Sequence, residues 1–307
     1  MFLVCGEALF DFFLESEAGP ASATYAARAG GSPFNVAIGL TRLGQEAGLL
    51  TGLSSDLLGQ RLVQVLEAEG VSTRYAIPTD RPTTLSLVGL DAAGVPAYQF
   101  YDNGSADTGV EAGDLPALGP EVIGLHFGSY SLAATPVGDA MAALARGKGG
   151  RFVSVDPNVR PTVEPDMAVW RARLDVLLPL ADLVKISAED LELLWPGKAA
   201  EAFAADLVAA GVCLVVVTDG GEAAHGWTCG GLAARATPPK VKVITPWAPA
   251  TPSRLPSSPG SCAIRPGRRR RSPGWTRRGW LRSSTTPRGP PRSLARGAAR
   301  ICRGPPS

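Results

Sequence analysis

Histidine is almost missing from this chain. His126 and His225 are the only two in 307 residues, too few for a histidine-rich metal centre. Cysteine is sparse as well. Cys5, Cys213, Cys229, Cys262 and Cys302 are scattered without metal-ligand spacing and read as buried or free thiols in a reducing cytoplasm. No apolar run reaches the roughly 18 residues that a membrane span needs. The opening Met-Phe-Leu-Val-Cys-Gly-Glu is too short and too soon acidic for a secretory signal. The expectation is a cytoplasmic protein with no membrane partner. One stretch lacks acids altogether: residues 246–307 hold 14 arginines and 12 of the 27 prolines, with no Asp, Glu or Lys. The 245 residues before it carry 16 basic and 28 acidic side chains, a net of −12. The overall +2 therefore hides an ordinary acidic body joined to a basic tail.

That body is organised around residues 30–44. Gly30 and Gly31 let backbone approach a ligand closely, and a helix begins near Pro33, since proline suits a first helical turn. Ala37, Leu40 and Leu43 recur at helical spacing and are expected to face a core. Asn35 sits beside the glycines, where its amide can reach a bound hydroxyl; a plain loop and core helix fits the same spacing equally well. Short apolar strands are read at residues 2–5, 46–51, 123–127, 152–155, 183–186 and 213–218, with helices ending at 69 and spanning 170–180 and 200–210. Strands alternating with helices predict an α/β fold, a mostly parallel sheet covered on both faces. Residues 72–101 break the pattern: two alternating runs flank Asp91-Ala-Ala-Gly, a hairpin signature. It reads either as a small β lid, with Phe100 or Tyr101 touching substrate, or as an ordinary antiparallel edge with core aromatics.

Polar residues gather where strands end, which is where open α/β sheets bind ligands. Asp11, in an apolar stretch, needs a partner or a ligand to offset desolvation; a turn or capping aspartate is the alternative. Asp156-Pro-Asn-Val-Arg160 follows a strand, and Arg160 can hold an anion by two parallel hydrogen bonds. Asp56 and Ser187 read as helix caps. Asp219-Gly-Gly221 offers close approach to a nucleotide, or simply a hairpin turn.

Taken in order, these residues resemble the ribokinase-like (PfkB) carbohydrate kinases, and within them the bacterial fructokinases, from residue 1 to about 244. Gly30-Gly31 with Asn35, Ala37, Leu43 and Gly44 looks like the family's first signature. Cys5-Gly6-Glu7 with Asp11 looks like its N-terminal sugar-binding strand. The 156–160 string is similar to one typical of fructokinases and ketosugar-acid kinases. Lys185 with Ser187 and Asp190 resembles the phosphate-side segment, although other subfamilies prefer Asn and Glu at the last two. Thr218 with Gly220 resembles the nucleotide-side turn. The resemblance implies a ribokinase-like domain over 1–244 that transfers phosphate from ATP, with Mg²⁺, to a sugar hydroxyl, most simply of fructose. It places Asp11, Gly31, Asn35 and Arg160 on the sugar and Lys185, Ser187, Thr218 and Gly220 on the nucleotide. Alternatives are a 2-keto-3-deoxygluconate or other PfkB sugar kinase, and a non-catalytic sugar-binding relic. The lid could pair two subunits.

The family's second signature, D-x-x-G-A-G-D, is missing. Its glycines form an anion site at a helix N-terminus, and its last Asp is the general base. After Ile244 the chain instead reads Thr245-Pro-Trp-Ala-Pro-Ala-Thr251-Pro-Ser-Arg. Written ACC CCG TGG GCG CCG GCG ACA CCT TCC AGG and preceded by one restored G, that stretch regroups to encode D-P-V-G-A-G-D-T-F-Q. The same frame converts the codons from Trp280 onward into A-A-L-L-D-Y-A-A-R-A-A-A, a helical pattern. GC-rich DNA read out of frame yields Arg, Pro, Gly and Ser, the composition seen. Residues 245–307 are therefore expected to be out-of-frame and disordered, and the literal chain to lack its catalytic base. A genuine nucleic-acid-binding arm around Arg268 to Arg271 and a linker without a role are the rivals; the frame reading implies no nucleic-acid partner.

Overall fold

The computed structural model describes residues 1–90 and 96–239. The chain divides at residue 249 into two units, and every described residue belongs to the first. The 91–94 turn, the 241–244 segment, Cys262, Cys302 and the tail from Thr245 lie outside the described residues.

The chain opens with β1 (Phe2–Cys5), β2 (Leu9–Glu17), β3 (Ala23–Gly30) and helix α1 (Ser32–Arg42). Next come β4 (Ala47–Leu50), β5 (Gly52–Ser54), α2 (Leu57–Ala68), β6 (Ile77–Thr79), β7 (Thr84–Leu90) and β8 (Pro96–Tyr101). Then follow β9 (Gly124–Gly128), α3 (Val137–Arg146), β10 (Phe152–Asp156), α4 (Met167–Leu177) and β11 (Leu183–Ser187). The last elements are α5 (Ala188–Leu194), α6 (Ala200–Ala209), β12 (Leu214–Asp219), β13 (Ala223–Thr228) and β14 (Ala233–Ala236).

The base is an eight-stranded sheet in the order β14-β13-β12-β11-β10-β9-β1-β4. It is parallel from β4 to β12 and turns antiparallel only at β13 and β14. One face presents Leu3, Leu125, Val153, Val155, Val184, Ile186, Val215 and Val217, all buried in one cluster with residues of α3 to α6. On the other face Val4 and Leu49 pack with Phe34 and Ala37 of α1 and Leu62 and Leu66 of α2. Helices thus lie on both sides, as alternation predicts. Farther along that second face, His126, Ser154, Lys185, Leu214, Val216 and Thr218 are only half-buried, so among the described residues the layer over this part is incomplete.

The helix starts follow their caps. Asp56 accepts from the Gly59 amide at 2.7 Å and opens α2; Ser187 accepts from the Asp190 amide at 3.0 Å and opens α5. Helix α1 starts after Gly31 with Pro33 in its first turn. Its buried stripe is Pro33, Phe34, Ala37 and Ile38. Leu40 is half-buried, and Leu43, expected in the core, is 80% exposed. Leu43 is the C-cap, where the chain leaves the helix and the spacing no longer holds.

The hairpin expected within 72–101 is present as antiparallel β7 and β8, but it is half of a larger unit. A four-stranded sheet runs β3-β2-β7-β8, so the small sheet draws equally on residues 9–30, where alternation marks no strand and only the family resemblance places Asp11 on one. Alternation there is masked because consecutive residues Leu9 and Phe10 are both buried, one on each side. Residues 52–54 form β5, which pairs in parallel with β6. The turn after β12 is the hairpin alternative, since β13 returns antiparallel. Cys5 is a buried free thiol and Cys213 a half-buried one.

Candidate active site

A cavity of about 480 Å³ is lined by the small sheet, the start of α1 and the loops after β9 and β10. Asp11, Gly31, Asn35 and Arg160, far apart in sequence, all line it.

Asp11 lies within β2, neither at a turn nor at a helix cap. In register it sits opposite Ser86 of β7 and Arg28 of β3. Burial holds its carboxyl above the ordinary carboxylate range, partly opposed by the Ser86 hydroxyl and the charge of Arg160. Gly31 has φ +106°, and a Cβ there would come within 2.8 Å of the Glu7 carbonyl oxygen. Only glycine lets the chain turn here against β1, and that turn brings the exposed Asn35 to the cavity mouth. Arg160 follows Asn158, which has φ +43°. The Val159 amide donates to Asp190 Oδ1 at 3.1 Å, and Arg160 Nη1 donates to the Val159 carbonyl at 3.0 Å. The loop that presents the guanidinium is thereby tied to the buried Asp190 of α5.

Several lining residues carry no site role in the sequence analysis. Glu7 is 1% exposed; it accepts from the Ser32 amide at 3.1 Å and from Ser131 Oγ at 2.9 Å. Burial pushes its carboxyl up to about 7, and the neighbouring Asp107 adds to the shift. An acid placed directly after a buried strand was the available signal. The aromatic expectation resolves by strand parity: Phe100 and Tyr98 share the cavity face of β8, whereas Tyr101 points away and is 56% exposed. Phe100 meets Tyr130 edge-on at 5.7 Å, and Ser129, Tyr130 and Asn158 complete the lining. Nothing in the spacing of Ser129 and Tyr130 marks them.

Lys185, Ser187, Thr218 and Gly220 do not line this cavity. They stand together at the C-terminal ends of β11 and β12, where Ser187 and Thr218 are register partners. Lys185 Nζ pairs with Asp156 Oδ2 at 3.1 Å, which joins this group to the loop carrying Arg160. Burial raises the Asp156 carboxyl, with the Lys185 charge opposing. The Ser187 hydroxyl is engaged as the α5 cap. Gly220 has φ +45° with open space where a Cβ would stand. His126 beside Lys185 bonds Ser154 Oγ through Nδ1 at 2.8 Å, and burial lowers its pKa to about 4, with Lys185 adding to the shift.

Carboxylate, guanidinium and amide groups around an aromatic wall, at the carboxyl ends of parallel strands, fit a polyhydroxylated ligand. Residues 1–247 match the pfkB family of carbohydrate kinases. The chain belongs to that family. This pfkB kinase is 39% identical over 231 residues to the fructokinase of Rhizobium leguminosarum bv. trifolii, covering 74% of this chain and 70% of the relative. The crystal structure of the fructokinase from Xylella fastidiosa superposes with a TM-score of 0.71 at 28% identity, covering 79% of this chain and 76% of that one. The same enzyme with bound ATP gives a TM-score of 0.71 at 28% identity, with 79% and 75% coverage. The pfkB chain is accordingly a carbohydrate kinase by family, a phosphotransferase with an alcohol acceptor. No helix among the described residues is long and apolar enough to cross a membrane.

Proposed function

We propose that this kinase is built to phosphorylate a hydroxyl of a ketose, fructose first, from ATP. The observation that carries the reading is the convergence of Asp11, Gly31, Asn35 and Arg160 on one cavity walled by Phe100 and Tyr98. Asp11 and Asn35 would take sugar hydroxyls and Arg160 would orient the anionic side of the reaction, while the rings of Tyr98, Phe100 and Tyr130 exclude water.

The nucleotide would lie over Lys185, Ser187, Thr218 and Gly220. The uncrowded turn at Gly220 and the side chain of Lys185, 38% exposed, fit a phosphate-bearing ligand. Mg²⁺ would supply positive charge there, offsetting the charge that develops on the transferred phosphoryl group. Among the described residues there is no group of three or more His, Cys, Asp or Glu that could hold a metal, so the ion would arrive with the nucleotide. A homodimer through the small sheet belongs to the same reading, supported by Tyr25 and Tyr101, exposed on the face away from the cavity.

We further propose that residues 245–307 are out-of-frame and that the literal chain lacks kinase activity. Thr251 stands where the general base belongs, and a hydroxyl cannot take that proton near neutral pH. The half-buried second face of β9 to β12 supports this reading, because parallel sheets are normally covered on both sides. In this reading sugar binding survives, since its cavity lies wholly within the described residues.

A coupled ADP-release assay with fructose, run on this chain and on the frame-corrected one, tests both parts. Turnover only in the corrected chain is expected. Turnover in the literal chain overturns the frame reading. Fructose binding without turnover in either chain points to a sugar-binding relic, and turnover only with 2-keto-3-deoxygluconate replaces the substrate.

A further inference from the structure

The chain passes between the base and the small sheet four times: at residues 6–8, at Gly31, at 80–83 and at 102–108. Two of the buried charged side chains stand at these passages. Glu7 lies in the first and accepts from the Ser32 amide just after the second. Asp107, 2% exposed, lies in the fourth. Its Oδ1 accepts from Thr84 Oγ1, at the start of β7 just after the third, and from Ser105 Oγ at 2.8 Å. Both acids then reach the same base segment: Ser131 Oγ donates to Glu7 at 2.9 Å and Tyr130 OH donates to Asp107 Oδ2 at 2.6 Å. The third and fourth passages are also joined directly, from the Ala106 amide to the Pro82 carbonyl at 2.8 Å. Tyr130 in turn meets Phe100 of the small sheet across the cavity floor.

We propose that Glu7 and Asp107 are positioning residues for the sugar: Asp107 ties the third and fourth passages to Tyr130, Glu7 ties the first passage to Ser131 and to the start of α1, and together they fix the small sheet over the cavity. A buried acid can be satisfied by any donors nearby. Asp107 is satisfied by donors on opposite sides of the hinge, Thr84 on the small sheet and Tyr130 on the base, whereas Glu7 holds its own passage to the base through Ser32 and Ser131; the anchoring donors Tyr130 and Ser131 are sequence neighbours. Rotation of the small sheet would strand a buried carboxyl or a buried hydroxyl, which is costly. These bonds favour the angle seen here, at which Asp11, Tyr98 and Phe100 line one cavity with Arg160. The sugar-affinity part of the inference rests on the ketose reading above; the hinge part does not.

Three variants of the full chain separate a hinge clamp from simple packing. Thr84→Val and Tyr130→Phe each remove a bond that spans the hinge. Ser105→Ala removes a bond to the same carboxylate from within the fourth passage and spans nothing. Amide hydrogen exchange is read over 80–86 and 102–108, and fructose affinity by calorimetry. Thr84→Val and Tyr130→Phe are expected to speed exchange at both passages and to weaken fructose binding roughly tenfold each, the usual worth of a hydrogen bond to a charged group. Ser105→Ala is expected to leave affinity unchanged. Thr84 does not line the cavity, so its effect cannot be lost ligand contact; should that variant not fold, Tyr130→Phe supplies the exchange readout. Unchanged exchange in the hinge-spanning variants, or equal loss of affinity in all three, overturns the proposal. Faster exchange with no fructose binding even by the unsubstituted chain supports the clamp and defeats the ketose reading alone.

Discussion

Replacing Glu7 by glutamine is expected to stabilise this protein at neutral and alkaline pH, an unusual outcome for a buried substitution. The Glu7 carboxyl rises from its ordinary 4.5 to about 7, driven by burial. Between those values the folded protein keeps a proton that the unfolded chain releases. Stability therefore falls as pH rises through that window, and the loss is complete above the folded value. The span of the shift corresponds to about 3 kcal/mol. Glutamine mimics the protonated acid: its oxygen can accept from the Ser32 amide and its NH₂ can donate to Ser131 Oγ. Urea unfolding followed by tryptophan fluorescence, at about pH 4 and about pH 8, gives the difference between wild type and Glu7→Gln at each pH. Asp11 and Asp156 are also raised, but they are common to both proteins and cancel in that comparison; Asp107, which adds to the Glu7 shift, is relieved of that repulsion in the variant, a gain in the same direction. The variant should match wild type in acid and exceed it by about 3 kcal/mol in base. Parallel stability curves would refute the argument, because they would mean that Glu7 ionises in the fold as easily as in the open chain.

Gly31→Ala should cost about 1–3 kcal/mol of stability and abolish tight sugar binding, since φ +106° and the Glu7 carbonyl at 2.8 Å leave no room for a Cβ; thermal melts with and without fructose check it. Arg160→Lys should weaken sugar binding roughly tenfold through loss of the planar fork, with little change in melting temperature. Asp56→Ala removes the α2 cap together with the Thr83 amide and hydroxyl bonds at 2.8 and 2.7 Å, costing about 1–2 kcal/mol. The Asp56 carboxyl is lowered from its ordinary 3.8: burial opposes the shift, and the hydrogen bonds from Gly59, Thr83 and Ser54 outweigh it. That stabilisation is present above the unfolded value and fades as pH falls through the lower folded one, which denaturation of the variant across the acid range would show.

Sequence alone determined the parallel base. Runs such as Cys213 to Thr218 are apolar on both sides, and a strand of that kind has to lie inside a covered sheet. It also determined the caps at Asp56 and Ser187, because a side chain reaching an amide three residues on is local chemistry, and it shows that no D-x-x-G-A-G-D follows Ile244. Tertiary structure decided the rest. Parity along β8, which follows from its pairing with β7, sent Phe100 into the cavity and Tyr101 out of it. Strands β2 and β3 took their place only through pairing with each other and with β7, which no alternation along residues 9–30 announces. Glu7 and Asp107 gained meaning only once Ser131 and Tyr130 stood beside them. The charge of a buried acid depends on neighbours brought together in space, and spacing along the chain carries no record of them.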